Sequence, residues 1–441
     1  MREAVYLHRA VIIFEGGSTS QHPLQQQILR LRHAVTLDNL VKYQQSGAEE
    51  VVLATDHPDL AREAARLGVR VRSTQTGRDH GLDETHSCGA AMAHSPGTAA
   101  KQYFHFGKVL RQVVLEAGAD AVLYSSGAAL PLISQAEISW VLDTVAKYPP
   151  CVVVNNVQSV DLAAWNPASY ITRIAPPESD NLLGWLLRDA GMEQILIPHS
   201  AAIHFDLDTP TDYLILRLSG QAGSRTQQAL NELDWPMGQL QAAADLLASD
   251  LPEIALIGRV GTSVVEHINR NLRVRVRVFS EERGVKALGR DADGSAVSLM
   301  ADLLEDVGPV RFFQRLASIC DAVFFDTRVL FAHRGRRVSE SDRFHSDLGR
   351  VDAIQDPWVR AFTEAALASP IPVVLGGHSI VAGGLWVLAD RAIAKLNGGT
   401  GVAVAGGKRD GSCCAGSAAC PAGTGVLPER LSPGRERVRI P

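Results

Sequence analysis

The chain has 441 residues, of which 46% are hydrophobic and 21% charged, and its formal net charge is −5. This composition is typical of a globular protein with about two domains. The mild net acidity gives no general electrostatic attraction to nucleic acid or to anionic membranes, and no apolar run approaches the roughly 18 residues that span a bilayer. We therefore expect a cytoplasmic protein with neither a nucleic-acid partner nor a membrane partner.

Strand-like and helix-like segments alternate over the first third of the chain. The predicted strands are 11–14, 50–55, 69–72, 121–124 and 151–155, and the predicted helices are 24–46, 59–67, 104–117 and 135–147. Apolar strands that are separated by helices are typical of a parallel α/β sheet that is covered on both faces. A polar stretch at residues 73–100 interrupts this order, and its length predicts a functional loop.

The rest of the chain predicts a second α/β unit. Its strands are expected at residues 254–257, 274–279, 321–326 and 371–375. The last residues are rich in Gly, Ala, Arg, Cys and Pro without an amphipathic pattern, which predicts disorder. The predicted organisation is a first domain at 1–218, a helical connector at 219–250, a second α/β domain at 251–396 and a disordered tail at 397–441.

A glycine-containing loop after the first strand indicates a phosphate-binding site. Gly16 and Gly17 lack a Cβ, so the backbone can approach a ligand closely there, and backbone N–H groups of such loops bind phosphate oxygens. Ser18 and Ser20 follow in the same loop. The alternative is a tight strand-to-helix turn, because a lone Gly-Gly pair is a weak signal.

Two aspartates in residues 205–212 predict a metal site. The carboxylates of Asp206 and Asp208 suit Mg²⁺, which prefers oxygen ligands and phosphates, and Asp206 is the better candidate of the two. The same segment also predicts a helix start, because Asp208 or Thr209 can cap a helix that has Pro210 in its first turn.

The order and spacing of these segments resemble the nucleotidyltransferases, among them the molybdenum-cofactor guanylyltransferases, the phospholactate guanylyltransferases and the cytidylyltransferases of isoprenoid synthesis. The Ala-Gly-Gly-x-Ser-x-Arg loop of that family is matched by residues 14–21, and its Asp-Thr-Pro-x-Asp segment by residues 208–212. The resemblance covers residues 1–218, and it implies a Rossmann-like sheet, a nucleoside triphosphate as substrate and Mg²⁺ as cofactor. The residues that it implies for nucleotide binding are Gly16, Gly17, Ser18 and Ser20.

Several charged side chains of the family pattern are missing. The family's arginine falls on Gln21, its lysine falls near Gln26 or Gln27, and the aspartate that binds the metal after a central strand falls on Ala129. Phosphoryl transfer depends on groups that offset developing charge, and one strong electrostatic contact contributes about 2.7–4 kcal/mol. The sequence therefore leaves open whether the first domain transfers a nucleotidyl group or only binds its ligand.

Two further polar features have alternative interpretations. Asn155 follows a predicted strand, at the edge where ligands gather in open α/β sheets, so it either contacts a base or sugar or shapes a turn. His80, Asp83 and His86 lie in the polar stretch and form either a metal site or a solvated loop.

In the second half, residues 373–384 place glycine pairs and His378 after a strand. This pattern indicates either a ligand site with His378 as an acid, base or metal ligand, or a glycine-rich helix packed closely on the sheet. Asp326 and Arg328 end another strand, and we expect them to meet His378 because parallel strand ends share one edge. The arginine-rich strand at 273–278 is either an anion-binding face or a solvated edge.

Three functions are compatible with the sequence. The first is transfer of a nucleotidyl group from a nucleoside triphosphate to a small phosphorylated or sugar-like acceptor. The second is a catalytically inactive protein that binds a nucleotide or a phosphosugar or has a regulatory role. The third is an enzyme whose active site lies in the second domain around His378. A small phosphorylated molecule is the expected ligand.

Overall fold

The computed structural model describes residues 7–16, 22–74, 104–157, 159–285 and 288–398. Gly17, Ser18 and Ser20 lie outside the described residues. Most of the polar stretch, with His80, Asp83 and His86, and nearly all of the predicted tail also lie outside them. In the described part of the chain, no helix combines the length and apolar character that crossing a membrane requires.

The described residues form two sheets with helices on their faces. The strands of the first sheet are β1 (Arg9–Phe14), β2 (Glu50–Ala54), β3 (Arg70–Arg72), β4 (Ala121–Ser126), β5 (Cys151–Val154), β6 (Leu162–Asn166) and β7 (Glu193–Leu196). The strands of the second sheet are β8 (Glu253–Gly258), β9 (Arg275–Ser280), β10 (Ala322–Asp326) and β11 (Val373–Gly376).

Helices connect and cover these strands. The helices before β8 are α1 (Pro23–Gln44), α2 (Pro58–Arg66), α3 (Phe106–Ala117), α4 (Gln135–Lys147), α5 (Leu183–Asp189), α6 (Ala201–His204), α7 (Pro210–Ser219), α8 (Ser224–Asn231) and α9 (Gly238–Leu246). The later helices are α10 (Thr262–Asn271), α11 (Arg290–Asp293), α12 (Leu299–Val307), α13 (Pro309–Ala317), α14 (Thr327–Ala332), α15 (Glu340–Asp347), α16 (Pro357–Leu367) and α17 (Gly383–Leu396).

The first sheet has the strand order β3-β2-β1-β4-β6-β5-β7. Its strands are parallel except for β6, which runs antiparallel to both β4 and β5. The expectation of an all-parallel sheet is therefore wrong at this strand. Only a short connection joins β5 to β6, and without a crossover helix the chain can return only in the antiparallel direction.

The two faces of β1 show why an apolar strand becomes the centre of this sheet. Val11 and Ile13 pack with α1, α2 and α4 on one face, whereas Ile12 and Phe14 pack with α3 and α5 on the other. Successive side chains of a strand point to opposite faces, so a strand buried on both sides must be apolar throughout.

The second sheet is fully parallel, with the order β11-β10-β8-β9. One face packs against α13 and α16, and the other packs against α7, α9, α10 and α17. The predicted fold class is confirmed: the chain is α/β, with a Rossmann-like sheet followed by a second α/β sheet.

The two sheets belong to one compact unit, residues 1–401. The hydroxyl of Thr211, on α7, donates to the carbonyl of Leu375 at 2.7 Å. The hydroxyl of Ser379 donates to the carbonyl of Asp206 at 2.8 Å. The segment that contains the two candidate metal ligands is therefore bonded directly to the β11–α17 connection. The predicted domain boundaries stay a prediction.

Candidate ligand sites at two sheet edges

The first candidate site lies at the carboxyl ends of β1 and β4. The chain continues from β1 to β2 on one side, whereas β4 lies on the other side. Open α/β sheets bind ligands at such a switch point. Gly16 is exposed there, and a Cβ built on it would meet none of the described residues within 4 Å. With respect to the described residues, the backbone at Gly16 is therefore open to a ligand.

Glu15 and Arg32 form an ion pair beside this opening, and the Arg32 side chain is partly exposed. The Glu15 side chain is fully buried and accepts hydrogen bonds from Arg32 Nε at 2.9 Å and Nη2 at 3.2 Å. Burial lowers the pKa of Arg32, but attraction to Glu15, Tyr213 and Asp206 raises it above its usual value. Arg32 thus supplies a fixed cation at an edge where the sequence pattern placed none.

Asp206 and Asp208 lie in the segment between α6 and α7. Phe205 and Leu207 alternate with them and are buried. Asp206 is partly buried and Asp208 is exposed. Burial, followed by repulsion from Asp208 and Asp161, raises the pKa of Asp206 well above its usual range.

These two carboxylates fit a magnesium ion chemically. Mg²⁺ is usually held by one or two protein carboxylates together with waters and substrate phosphates, rather than by a complete protein cage. A cation would relieve the repulsion that raises the pKa of Asp206. Asp206 and Asp208 are thus the residues that would hold such an ion.

A separate cluster of residues that could bind a metal lies in the second half of the chain. Ligand atoms of Asp302, Glu305 and His333 lie within 4.8 Å of one another. However, Nδ1 of His333 accepts the backbone N–H of Ser298 at 3.0 Å, so a neutral ring holds its proton on Nε2 and has no lone pair there for a metal. Arg334 also pairs with Asp302 at 2.7 Å. This group is better explained as an ion-pair cluster.

The helix start predicted at residues 208–212 is confirmed. Thr209 caps α7, and Pro210 is in the first turn. Asp212 accepts hydrogen bonds from the Thr209 N–H at 2.7 Å and from its hydroxyl at 2.9 Å. Thr209 and Asp212 therefore shape the turn that presents Asp208.

Asn155 has a turn-forming role. It is buried, its carbonyl oxygen accepts the N–H groups of Asp161 and Leu162 at 3.0 and 3.1 Å, and its amide donates to Asp161. Because these bonds use both ends of the amide, the structure favours the turn over a nucleotide contact.

Ala129, at the position of the family's metal-binding aspartate, is part of the core. Its side chain is 2% exposed, and its carbonyl accepts the amide of Asn39 at 3.0 Å. Lys42 Nζ donates to the neighbouring carbonyl of Pro131 at 2.6 Å. The β4–α4 connection is therefore held by α1 and packed without a carboxylate.

The second candidate site is a cavity of about 580 Å³, called here the arginine cavity. It lies at the carboxyl ends of β8, β10 and β11, and the switch point of the second sheet is between β8 and β10. Asp208 and Thr209 form part of its wall from the first half of the chain. Its polar lining from the second half is Arg259, Asp291, Arg328, Arg336, Arg337, Glu340, Arg343 and His378.

Arg328 and His378 line this cavity, whereas Asp326 is not part of its lining. Asp326 is fully buried and binds Arg259 through Nε at 2.6 Å and Nη2 at 3.0 Å. Burial raises the pKa of Asp326, but Arg259 outweighs that effect and holds it below its usual value. Arg328 pairs with Asp347 at 2.6 Å.

The glycines after β11 allow close packing. A Cβ on Gly377 would lie 2.6 Å from the Thr209 methyl carbon, and one on Gly383 would lie 1.9 Å from the His204 carbonyl oxygen. This supports the closely packed interpretation of the glycine pairs. His378 lies between these contacts, and burial, followed by the charge of Arg259, lowers its pKa to about 4. It is therefore neutral near pH 7.

The arginine-rich strand is an edge strand, β9. Arg275 and Arg277 both pair with Glu253, and Arg273 pairs with Asp250. These arginines thus have partners on the protein surface, which favours the interpretation as a charged edge that discourages pairing with another strand.

Comparison with known proteins gives matches among solved structures. No family model and no curated protein matches the chain. A nucleotidyl transferase from Methanothermobacter is 15% identical, with a TM-score of 0.34, over 48% of this chain and 96% of its own. A cytidylyltransferase from Leptospira borgpetersenii is 12% identical, with a TM-score of 0.34, over 51% and 93%.

A CMP-2-keto-3-deoxy-manno-octonic acid synthetase, solved with CTP, is 15% identical, with a TM-score of 0.31, over 51% of this chain and 99% of its own. The first two of these proteins bear the name of the class that the sequence resembles. The fold itself rests on the order and direction of the strands described above. Each of these three structures is similar to this chain over about half of its length.

Proposed function

We propose that this protein binds a nucleoside triphosphate at the carboxyl end of β1, with a divalent cation held by Asp206 and Asp208. The observation that carries the proposal is the open backbone at Gly16, at a switch point beside an acidic edge. Nucleotide phosphates would face Gly16, and Gly17, Ser18 and Ser20 follow it in the sequence. The ion would supply the charge that lets phosphates approach the aspartates.

Arg32 supports this arrangement from the protein side. Its ion pair with Glu15 fixes it near Asp206, so its orientation is set before a ligand arrives, which lowers the cost of binding. Further carboxylates lie near the same edge, since Asp180 accepts the Tyr124 hydroxyl at 2.8 Å and interacts electrostatically with Asp208. Because several carboxylates lie at this edge, a cation between the protein and the nucleotide phosphates is favoured.

Transfer of the nucleotidyl group to a phosphorylated or sugar-like acceptor is the activity that we propose for this site. Binding without transfer is the second candidate, and one observation favours it: Ala129 is buried in the core, so the edge lacks the carboxylate of the family pattern. The two functions differ in one measurable product, the pyrophosphate released by transfer.

Calorimetric titration with ATP, GTP, CTP and UTP, with and without Mg²⁺, tests the proposal. We expect at least one of them to bind in a Mg²⁺-dependent way. Asp206→Asn should weaken this binding by about tenfold, or about 1.4 kcal/mol. The matched control is Asp250→Asn, which removes an exposed carboxylate from a surface pair. The absence of binding by any of the four nucleotides would contradict the proposal.

A pyrophosphate assay then separates the two candidates. The nucleotide that binds is incubated with Mg²⁺ and a panel of sugar phosphates and phosphorylated acids. Release of pyrophosphate that depends on one acceptor supports transfer. Binding without release across the panel favours the inactive protein.

A further inference from the structure

We propose that the arginine cavity is a second binding site, specific for a compact organic molecule that carries a phosphoryl group. The cavity lies at the switch point of the second sheet and adjoins Asp208 at the edge of the first sheet. The inference does not depend on the proposed nucleotide site, because it rests on side chains of the second half.

The charge of the lining favours an anion. Five arginines and three carboxylates line the cavity. Arg259, Arg328 and Arg336 each pair with a carboxylate that is not part of the lining. Arg337 and Arg343 make no ion pair with any residue that the structure describes. Two guanidinium groups are thus left to bind an external anion.

Arg343 gives the most direct indication of a missing partner. Its Nε is buried and has no hydrogen-bond partner among the described residues. Burial, followed by repulsion from Arg328, lowers the pKa of Arg343. A buried donor without a partner is costly, and Glu340 and Asp347 offset the charge of this partly buried guanidinium group only in part. An anionic ligand would relieve both costs, and guanidinium groups match phosphate geometry well.

Ion pairs fix the side chains of Arg259 and Arg328 at the cavity before a ligand binds. Arg259 uses Nε and Nη2 for Asp326, and Arg328 uses Nη1 and Nη2 for Asp347. These bonds fix both side chains and leave one nitrogen of each without a described partner. Ligand binding then immobilises little additional side chain, which lowers its entropic cost.

The rest of the cavity sets the size and character of the ligand. A volume of about 580 Å³ is in the range of small-molecule sites. Val285, Phe331, Val338 and Phe344 provide an apolar part of the wall. His378, neutral near pH 7, offers a hydrogen bond without further charge. A small phosphorylated compound with an apolar or sugar-like body fits these features.

The test uses the full-length protein with the probes inorganic phosphate, pyrophosphate and glucose 6-phosphate, and with glucose as the uncharged comparison. Binding is measured by calorimetry and by the rise in Tm, in EDTA and without nucleotide, so that the cation-dependent site does not contribute. We expect saturable binding of at least one phosphorylated probe, no binding of glucose, and binding about tenfold weaker or lost in Arg343→Gln.

Three variants make the outcome decisive. Arg311→Gln removes an exposed arginine on α13, outside the cavity, and should bind as the wild type does. Arg337→Gln, at an exposed position of the lining, should weaken binding even if Arg343→Gln does not fold. Asp206→Asn should retain binding, which separates this site from the nucleotide site. No saturable binding of any phosphorylated probe, or unchanged binding in both cavity variants, would overturn the inference.

Discussion

His33 on α1 links the stability of the protein to pH. It lies edge-on to His57, with ring centroids 4.8 Å apart, and Nε2 of each ring is buried without a hydrogen-bond partner in the described structure. Burial and then the neighbouring His57 lower the pKa of His33 to about 4, compared with 6.5 ordinarily. The folded protein therefore keeps this ring neutral where the unfolded chain protonates it.

We predict that stability falls as the pH drops from about 6.5 towards 4, because the unfolded state binds the additional proton in that window. His33→Gln should reduce this fall, whereas His8→Gln should leave it in place. Urea unfolding at about pH 7 and about pH 5 measures the difference. An identical pH dependence in wild type and His33→Gln would contradict the assignment.

Single residues were the hardest part of the site to predict from the sequence. Arg32 lies 17 residues from Glu15, and only the fold shows that the two side chains form an ion pair at this edge. Asn155 follows a strand, as a ligand-binding residue would, but its amide bonds to the next turn. A side chain's partners depend on contacts between distant segments, which spacing along the chain does not reveal.

At the scale of elements, the packing of α17 against α6 depends on a glycine. A Cβ on Gly383 would lie 1.9 Å from the His204 carbonyl oxygen, and this contact is with backbone that cannot move aside as a side chain can. We predict that Gly383→Ala lowers the free energy of unfolding by about 3 kcal/mol or more.

Gly238→Ala is the matched control. Gly238 begins α9, and a Cβ on it would meet no described residue within 4 Å. The change should be neutral or stabilise by up to about 1 kcal/mol, because alanine loses less backbone entropy on folding. Chemical denaturation measures the free energy of unfolding of both variants. Equal changes in the two would contradict the prediction that the close contact at Gly383 determines the cost of an added Cβ.

The elements themselves were largely predictable. Buried parallel strands such as β1, β4 and β8 are apolar runs between helices, and the four strands of the second sheet lie within two residues of their predicted positions. The strands β6 and β7 were missed. β7 is a partly exposed edge strand with a polar half, and β6 returns after a short turn, so neither has the pattern of a buried strand between helices.

At the scale of the whole molecule, two sheet edges meet at the Asp-Thr-Pro segment. Asp206 faces the first edge, Asp208 lines the arginine cavity, and Thr209 packs on Gly377 of the second half. The sequence showed both glycine-containing strand ends, but it did not show that they are bonded through one segment. Tertiary contacts between residues more than 150 positions apart determine this arrangement.

The central claim is that a cation between Asp206 and Asp208 accompanies a nucleotide at β1. Anomalous scattering from Mn²⁺, used in place of Mg²⁺ in crystals grown with the nucleotide that binds best, tests it directly. We predict a peak in contact with both carboxylates and with nucleotide phosphates that lie against Gly16. A peak at Asp302 and Glu305 alone, or a nucleotide away from the β1 edge, would contradict the account.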